Sequence, residues 1–436
     1  MNKKFFIVTY GCQMNKHDSE KIAGLLLSCG YKWAKDINDA DIVVFNTCCV
    51  RKSAEDRLFG VVGSLKSLKE KKKELIIAVG GCVAQKEGVN LQKILPHVDV
   101  VFGTHNIASL PNLIEKAKNK KVVCEILRAP RDELKIFPIE RKNLVRTWVS
   151  ISTGCNNFCS YCIVPYVRGR EMSRPFEDIV FEVEKLADEG FLEITLLGQN
   201  VNSYGRDIYN KLRFAELLKR LNKIEGIKRI RFISSHPRDF NNDVILALAE
   251  REKVCEHVHL PIQAGSDNVL KAMGRGYTKE SYLNLVEEIY EIVPSCSITT
   301  DIMVGFPGEK EEDFLDTLDV VKQAKFDNAF TFIYSPREGT KAAEMKNQIT
   351  DEVKMDRFNR LLEVQNRNSL KCNLSFVGDE VEVLVEGLSK KNGDVLTGRT
   401  RTNKVINFLG RPSLINKLVR VKIKEARSWS LKGELV

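Results

Sequence analysis

The sequence has no long apolar run. None of its hydrophobic stretches approaches the ~18 residues that a membrane-spanning helix needs. The apolar stretch at residues 5–10 is shorter than the ~7 residues of a signal-peptide core, and no small-residue cleavage site follows it. Internal repeats and low-complexity tracts are missing as well. These absences exclude a membrane-spanning or secreted protein, so we expect a globular, cytoplasmic protein with no membrane partner.

The chain has twelve cysteines. Stable disulfides are rare in a reducing compartment, so clustered cysteines there indicate metal ligation or catalysis. Some of them lie singly in helix-like or strand-like stretches and fit the ordinary role of small buried side chains: Cys29, Cys124, Cys255, Cys296 and Cys372. The others require a separate explanation.

The length and charge of the chain limit its possible domain organisation and partners. With 436 residues the chain is too long for one core and long enough for two or three domains. The net charge of +10 suits an anionic partner such as RNA. Part of the excess lies at the C-terminus, where residues 376–436 hold twelve Lys or Arg against seven Asp or Glu.

The hydrophobic pattern predicts an α/β fold. Residues 1–127 alternate apolar strands with amphipathic helices, which indicates an open parallel sheet with helices on its faces. Residues 128–146 are charged, contain proline and are predicted to be a linker. Six further strands alternate with helices over residues 147–349, which is typical of a partial (β/α)6 barrel with its active site at the carboxyl ends of the strands.

A different pattern begins near residue 350. Residues 350–372 have apolar side chains at helical spacing and are predicted to form a bridging helix. Residues 373–436 contain short strands separated by Gly, Asn and Pro, which predicts a small antiparallel β-barrel.

Cys155, Cys159 and Cys162 form a Cys-x3-Cys-x2-Cys motif. Thiolates are the usual ligands of iron–sulfur clusters, and a 4Fe–4S cube normally takes four of them. Three thiolates leave one iron open, and S-adenosylmethionine (SAM) can chelate it through its amino and carboxylate groups. A structural zinc site is the rival interpretation, but the paired Cys ligands that zinc prefers do not follow downstream. Tyr161 either packs against the adenine of SAM or is a core aromatic.

Three further cysteines follow predicted strands of the N-terminal part. Cys12, Cys48 and Cys82 each come just past the carboxyl end of a strand, and in an open α/β sheet those ends share the edge where ligands bind. The pattern alone leaves open whether they converge or are three unrelated buried cysteines. Cys49 is a rival to Cys48 for the same position.

Polar residues also follow strands of the predicted barrel. They are candidates for binding SAM, although loop Gln and Asn also form turns: Gln199, Asn200, Gln263 and Ser266. Three arginines after the three-cysteine motif are either solvated or placed to meet phosphates or the SAM carboxylate: Arg168, Arg170 and Arg174.

Several long strings, in order along the whole chain, closely resemble the methylthiotransferase family of radical SAM enzymes, and most of all its tRNA-modifying MiaB type. They are TYGCQMNKHDSE, NTCCVRKSAEDR, GGCVAQ, STGCNNFCSYCIVPYVRGREMSRP, LLGQNVNSYG, HLPIQAGSDNVLKAMGRGYT, DIMVGFPGE and ARSWSLKGELV. The resemblance implies an N-terminal methylthiotransferase domain, a radical SAM barrel and a C-terminal TRAM domain that binds RNA.

The resemblance also implies the chemistry. Cys12, Cys48 and Cys82 would hold an auxiliary 4Fe–4S cluster that carries sulfur, and the family string NTCxVR favours Cys48 over Cys49. SAM would be used twice, once to methylate that sulfur and once to generate a radical. The product would carry a methylthio group at C2 of an N6-isopentenyladenosine next to the tRNA anticodon.

The TRAM-like segment contains the candidate RNA-binding residues. Arg399, Arg401 and Lys404 lie around a predicted turn and suit phosphate contacts. Phe408 and Trp429 either stack on bases or belong to the core.

The expected partners are tRNA, a sulfur donor and a reductant such as flavodoxin or ferredoxin, and we expect a monomer. Relatives within the family act on threonylcarbamoyladenosine in tRNA or on an aspartate of a ribosomal protein. A non-catalytic iron–sulfur RNA-binding protein is an alternative of another class, but it would not need the open iron that the three-cysteine motif provides.

Overall fold

The computed structural model describes residues 3–50, 52–119, 122–127, 138–141, 145–250, 252–389 and 392–436. The chain forms two compact units. The first comprises residues 1–142, 153–156 and 162–171, and the second comprises residues 143–152, 157–161 and 172–436.

The first unit is a parallel sheet with helices around it. Its strands are β1 (Lys4–Tyr10), β2 (Lys32–Trp33), β3 (Ile42–Thr47), β4 (Ile76–Gly81), β5 (Val100–Phe102) and β6 (Val123–Glu125). Its helices are α1 (Gln13–Ser28), α2 (Lys52–Ser64), α3 (Lys66–Lys71), α4 (Cys82–Glu87), α5 (Asn90–Ile94), α6 (Leu110–Lys118) and α7 (Val164–Arg168). The strand order is β2-β1-β3-β4-β5-β6, and every pairing is parallel.

Strand β3 shows why the sheet lies inside this unit. Val43 and Phe45 pack into one hydrophobic core, and Ile42 and Val44 pack into a second. Alternate residues of a strand point to opposite faces, so both faces of the sheet are covered and its central strands are continuously apolar.

The second unit begins with a partial barrel. Its strands are β7 (Arg146–Ser150), β8 (Ser152–Thr153, at the border of the two units), β9 (Met172–Ser173), β10 (Glu193–Leu197), β11 (Arg229–Phe232), β12 (His257–His259), β13 (Ser297–Val304) and β14 (Asn328–Ile333). Its helices are α8 (Phe176–Asp188), α9 (Arg206–Tyr209), α10 (Phe214–Leu221), α11 (Asn242–Glu250), α12 (Asp267–Met273), α13 (Lys279–Ile292) and α14 (Glu311–Ala324).

Six strands of this barrel, β7 and β10 to β14, form two parallel sheets of three. Their orders are β11-β10-β7 and β12-β13-β14, and an isolated parallel bridge joins Ile230 to Val254. Helix α15 (Asp351–Leu374) follows, and then a closed barrel of β15 (Glu380–Ser389), β16 (Asn392–Thr400), β17 (Val405–Leu409), β18 (Leu418–Ala426) and β19 (Leu431–Leu435). The predicted α/β fold with a small C-terminal β-barrel is confirmed. The barrel is not wholly antiparallel as predicted, because β17 pairs with β19 in parallel.

Some details differ from the sequence-based expectations. The short strands β2 and β6 were not predicted, and the partial barrel is divided into two sheets. The sequence pattern predicts one helix over residues 53–70, but the structure has α2 and α3 with Leu65 between them. Gly60 and Gly63, which have low helix propensity, precede this break, and Leu65 is buried there.

The predicted linker, residues 128–146, lies largely outside the described residues. The domain boundaries at residues 127, 146, 349 and 372 stay predictions. Among the described residues, no helix is long and apolar enough to cross a membrane.

Candidate functional site

The strand-end thiols, which we define as Cys12, Cys48 and Cys82, come together at one edge of the first unit's sheet. Cys12 precedes α1, Cys48 directly follows β3, and Cys82 is the first residue of α4. Their strands β1, β3 and β4 are neighbours in the sheet. Hydrogen bonds link the Cys48 side chain to those of Cys12 and Cys82, so the three thiols form one group.

Two glycines allow this close approach. Gly11 has φ +147°, and a Cβ added to it would lie 2.6 Å from Cys48 Cβ. Gly81 has φ +88°, and an added Cβ would lie 2.7 Å from the carbonyl oxygen of Thr47. Residues with a side chain rarely adopt such positive φ angles, so glycine suits both positions.

A buried ion pair lies next to the strand-end thiols. Arg168 Nη2 donates a hydrogen bond to Asp18 Oδ2 at 2.8 Å, and both residues are buried. The Arg168 guanidinium also hydrogen-bonds Cys82. The pKa of Cys12 is lowered to about 6, chiefly by its hydrogen bond with Cys48 and also by the charge of Arg168. The pKa of Cys82 is lowered as well, by hydrogen bonds from Cys48 and Cys49. The pKa of Cys48 is raised by the same hydrogen bonds with Cys12 and Cys82. The site therefore stabilises the thiolate, the form that binds iron, at Cys12 and Cys82, and keeps the proton on Cys48.

Cys49 is also at this edge. It is buried, and its side chain hydrogen-bonds Cys82. Cys48 has such contacts with both Cys12 and Cys82. The contacts of Cys48 are those of a residue between the other two thiols, which is consistent with the predicted choice of Cys48 as the ligand.

The three-cysteine loop, residues 154–162, is held by backbone hydrogen bonds. In the first unit, the Cys155 N–H donates to the Gly169 carbonyl at 3.1 Å. In the second unit, the Ser160 N–H donates to the Met273 carbonyl at 2.9 Å, and the Ala342 N–H donates to the Ser160 carbonyl at 2.9 Å. Cys159, next to Ser160, is therefore fixed against the C-terminal end of α12 and against Ala342.

A second buried arginine contacts this loop. Arg275 Nη1 lies 3.5 Å from Cys159 Sγ and 3.5 Å from the Tyr161 hydroxyl. Tyr161 is half-buried and packs against a small hydrophobic group that includes Met273 and Phe306. Arg275 is not recognisable from the sequence, because an arginine in the string MGRGYT has no local sign of burial.

The donors at both sites suit iron–sulfur clusters. Each set consists of thiols, the usual ligands of such clusters, and each has a buried guanidinium beside it. In the part of the chain that the structure describes, no three His, Cys, Asp or Glu side chains are arranged to hold a single metal ion. That finding does not argue against iron–sulfur clusters, because the ligands of a cluster of several irons lie farther apart than the ligands of one ion.

Comparisons with known proteins place the chain in a family. The Radical SAM superfamily matches residues 149–321, the Uncharacterized protein family UPF0004 matches residues 4–103, and the TRAM domain matches residues 374–436. A tRNA-2-methylthio-N(6)-dimethylallyladenosine synthase of Acetivibrio thermocellus is 54% identical over 100% of this chain and 91% of its own length. The protein of the same name from Carboxydothermus hydrogenoformans is 52% identical over 100% of this chain and 99% of its own length. The chain belongs to this family of synthases.

Solved structures support the fold. The radical S-adenosylmethionine methyltransferase TsrM from Kitasatospora setae superposes with a TM-score of 0.57 at 14% identity, over 79% of this chain and 77% of that protein. The radical enzyme OxsB superposes with a TM-score of 0.51 at 12% identity, over 82% of this chain and 56% of that protein. The family matches and the curated relatives confirm the predicted resemblance, and the radical SAM match establishes SAM and a 4Fe–4S cluster as cofactors.

The predicted SAM-binding residues lie at or after the carboxyl ends of the barrel strands. Asn200 Nδ2 donates to Asp239 Oδ2 at 2.7 Å, whereas its Oδ1 is buried without a hydrogen-bond partner. Gln199 is half-buried, and Gln263 is buried in a left-handed conformation with φ +74°. The Ser266 hydroxyl donates to Asp313 Oδ1 at 2.5 Å. Asn200 therefore has a free acceptor for a ligand, and the SAM contacts of all four residues, like that of Tyr161, stay predictions.

The arginines after the three-cysteine loop differ from one another. Arg168 is buried in its pair with Asp18, so the solvated alternative is wrong, and contact with a phosphate or the SAM carboxylate stays a prediction. Arg174 pairs with Glu182 at 2.6 Å and also donates to the Ser150 carbonyl. Arg170 is exposed.

The three predicted RNA-binding residues have acidic partners within the second unit. Arg401 Nε lies 2.9 Å from Glu256 Oε2. Arg399 Nε lies 3.2 Å from Glu386 Oε1, and Lys404 pairs with Asp327. The backbone of the same turn, residues 399–404, accepts hydrogen bonds from two buried arginines at the start of β11: Arg229 to the Arg399 carbonyl and Arg231 to the Thr400 and Arg401 carbonyls. The turn therefore fastens the C-terminal barrel to the amino ends of the partial barrel's strands.

The two aromatic candidates for stacking on bases, Phe408 and Trp429, differ in burial. Phe408 is buried in the core of the C-terminal barrel and is not available for stacking on a base. The Trp429 side chain is 62% exposed, so stacking by Trp429 stays a prediction.

Proposed function

We propose that this chain is a tRNA methylthiotransferase that inserts a methylthio group at C2 of N6-isopentenyladenosine next to the anticodon. The relatives that are 52–54% identical over 99–100% of this chain support this proposal, because they are named as synthases of that nucleoside. The radical SAM match supports the mechanism, since an unreactive C–H bond is not activated by an acid or a base.

The three-cysteine loop supplies the first set of ligands. Cys155, Cys159 and Cys162 would hold the 4Fe–4S cluster, and together with SAM this cluster supplies the radical that removes a hydrogen atom. The chain's own contribution is to fix the loop. The hydrogen bonds of Ser160 with Met273 and Ala342 hold Cys159 in place, and Arg275 contacts its sulfur.

The strand-end thiols would hold an auxiliary 4Fe–4S cluster that carries the sulfur. The thiol donors, the room left by Gly11 and Gly81, and the buried Arg168 all support this second cluster. Two clusters in one chain correspond to about eight irons per protein.

The proposed partners follow from the same chemistry. The substrate is tRNA, which the TRAM match and the names of the relatives support. A reductant such as flavodoxin or ferredoxin would supply electrons, and a sulfur donor would restore the auxiliary cluster. We propose that the enzyme acts in the cytoplasm as a monomer.

The acidic partners of Arg399, Arg401 and Lys404 bear on how tRNA is bound. Contact of these side chains with phosphates would require Glu386, Glu256 and Asp327 to be displaced or shared. The exposed Trp429 needs no such rearrangement.

Anaerobic reconstitution with iron, sulfide, SAM and a reductant tests the radical chemistry. The protein should release 5′-deoxyadenosine, and the Cys159→Ala variant should not. Formation of methylthio-isopentenyladenosine in isopentenylated tRNA should require all six proposed ligands. A protein that assembles iron but releases no 5′-deoxyadenosine on reduction would instead be a non-catalytic iron–sulfur protein.

A further inference from the structure

Arg275 is a buried cation with neutral protein partners. It follows α12, and its side chain is 5% exposed. Its Nη2 donates to the Pro261 carbonyl at 3.0 Å, and its Nε donates to the Tyr277 hydroxyl at 3.0 Å. The Tyr161 hydroxyl, at 3.5 Å, is a further neutral contact. A guanidinium is always protonated in proteins, so a full positive charge is buried here.

The other buried arginines of the described chain each have a carboxylate. Arg168 pairs with Asp18 at 2.8 Å, and Arg357 pairs with Glu309 at 2.8 Å. Arg231 lies 3.0 Å from Glu193, and Arg229 lies 2.7 Å from Glu382. No described carboxylate lies within the same ion-pair distance of Arg275, which distinguishes it from all four.

A buried charge without a counter-charge is strongly destabilising, so an anion is expected beside Arg275. Its remaining contact is Cys159 Sγ, at 3.5 Å, and both residues belong to the second unit. A 4Fe–4S cube held by thiolates is an anion, and it gains a further negative charge when it is reduced. The missing counter-charge is therefore the cluster that Cys159 would bind.

We propose that Arg275 is the counter-cation of the SAM-binding 4Fe–4S cluster and raises the reduction potential of that cluster. A positive charge beside a cluster stabilises the reduced, more negative state more than the oxidised state, so it makes reduction easier. Tyr277 and the Pro261 carbonyl orient the guanidinium. Arg275 is thus a positioning and charge-setting residue that acts through the cluster.

The proposal rests on the proposed function only in taking Cys159 as a cluster ligand. A measurement without SAM and without tRNA therefore tests it separately from the identity of the substrate. A failure of the substrate assignment would leave such a measurement unaffected.

The experiment is a redox titration of the full-length, reconstituted protein followed by electron paramagnetic resonance. The titration is made in the unsubstituted chain and in a chain carrying Cys12→Ala, Cys48→Ala and Cys82→Ala. The second chain lacks the proposed ligands of the auxiliary cluster, so only the signal of the SAM-binding cluster is observed. Arg275→Gln removes the charge and Arg275→Lys keeps it. Arg357→Gln is the matched control, because it removes a buried arginine that already has a carboxylate. The iron content of each variant is measured, and its affinity for SAM is measured by equilibrium dialysis.

We expect Arg275→Gln to lower the ratio of reduced to oxidised cluster at least tenfold at a fixed potential, which is about 59 mV for a one-electron couple. Arg275→Lys should recover most of that loss, and Arg357→Gln should leave the midpoint unchanged. The SAM affinity of the oxidised protein should stay within twofold.

Two results would overturn the proposal. An unchanged midpoint in an iron-loaded Arg275→Gln protein would show that the charge does not act on the cluster, and a loss of SAM affinity there would make Arg275 a cofactor ligand instead. If the Arg275→Gln protein loads no iron, the Arg275→Lys variant decides whether the charge of residue 275 acts on the cluster. Restored iron with a near-parental midpoint supports a charge role, and loss of iron in both variants contradicts it.

Discussion

At the scale of single residues, Cys48 and Cys49 are adjacent thiols, and only Cys48 is predicted to be a cluster ligand. Both are buried and both hydrogen-bond Cys82, but only the contacts of Cys48 extend to Cys12 among those the structure describes. We therefore expect Cys48→Ala to lose about one cluster of iron and Cys49→Ala to keep the parental content. Iron analysis of the two reconstituted variants checks this, and the reverse order would make Cys49 the ligand.

The thiolate character of Cys12 gives a second prediction for the metal-free protein. Its pKa is lowered to about 6, chiefly by the hydrogen bond with Cys48. A lowered thiol pKa means that the reactive thiolate is already present above about pH 6, so alkylation of Cys12 should reach half its maximal rate near that pH. Mass spectrometry of the Cys12 peptide after timed iodoacetamide treatment measures the profile.

The Cys48→Ala variant provides the control for this profile. Without the Cys48 thiol, the midpoint of Cys12 alkylation should move to a higher pH, towards that of an ordinary thiol. A profile that is the same in both proteins would show that Cys48 does not set the acidity of Cys12.

Residue type and order predicted much of this chemistry, but not the partners of long side chains. The six cysteines are recognisable because their spacing and their positions after strands are local features of the sequence. The partner of Arg168 is Asp18, which lies 150 positions earlier, and the partner of Arg401 is Glu256. Nothing local distinguishes a buried arginine from a solvated one, so Arg275 was missed and the pair of Arg168 with Asp18 was not predicted.

At the scale of elements, the turn between β1 and α1 determines how closely Cys12 approaches Cys48. Gly11→Ala would place a methyl group 2.6 Å from Cys48 Cβ at a backbone φ of +147°. We expect it to lower the free energy of unfolding by roughly 1–3 kcal/mol and to reduce the iron held by the strand-end thiols. Urea unfolding and iron analysis measure the two effects.

Gly60→Ala is the matched control. Gly60 lies within α2, and no atom lies within 4 Å of the position where a Cβ would be added. The alanine should be neutral or should stabilise the protein by about 0.5–1 kcal/mol, with the iron content unchanged. Equal losses in both variants would refute a specific role for Gly11.

The elements show which patterns can be read from sequence. Strands β3 and β4 are continuously apolar, and the sequence predicts them over residues 41–46 and 75–80, within one residue of each observed end. β2 and β6 have two and three residues, too few for any periodicity, and their pairing with longer strands establishes them. The division of the partial barrel depends on backbone pairing across the sheet, which hydrophobic periodicity does not encode.

At the scale of the whole molecule, the basic turn at residues 399–404 has two possible roles that one variant separates. Arg401→Ala removes the pair with Glu256 and, if the predicted RNA contact exists, one phosphate contact. Losing a phosphate contact should weaken tRNA binding and reduce the slope of log K against log salt by about 1. Filter binding at several salt concentrations measures this slope.

Thermal unfolding of the same Arg401→Ala protein provides the comparison. A lower melting temperature with an unchanged salt slope would mean that Arg401 only fastens the C-terminal barrel, and it would contradict the predicted RNA contact. Trp429→Ala, at an exposed position, should leave the melting temperature unchanged and weaken tRNA binding only if Trp429 stacks on a base.

As a whole, this chain is proposed to make methylthio-isopentenyladenosine in tRNA. The most direct measurement is mass spectrometry of tRNA nucleosides from a strain without the gene. We predict that isopentenyladenosine accumulates, that its methylthio form disappears, and that the parental gene restores it while a Cys155→Ala copy does not. Persistence of the methylthio form, or loss of methylthio-threonylcarbamoyladenosine instead, would contradict this assignment.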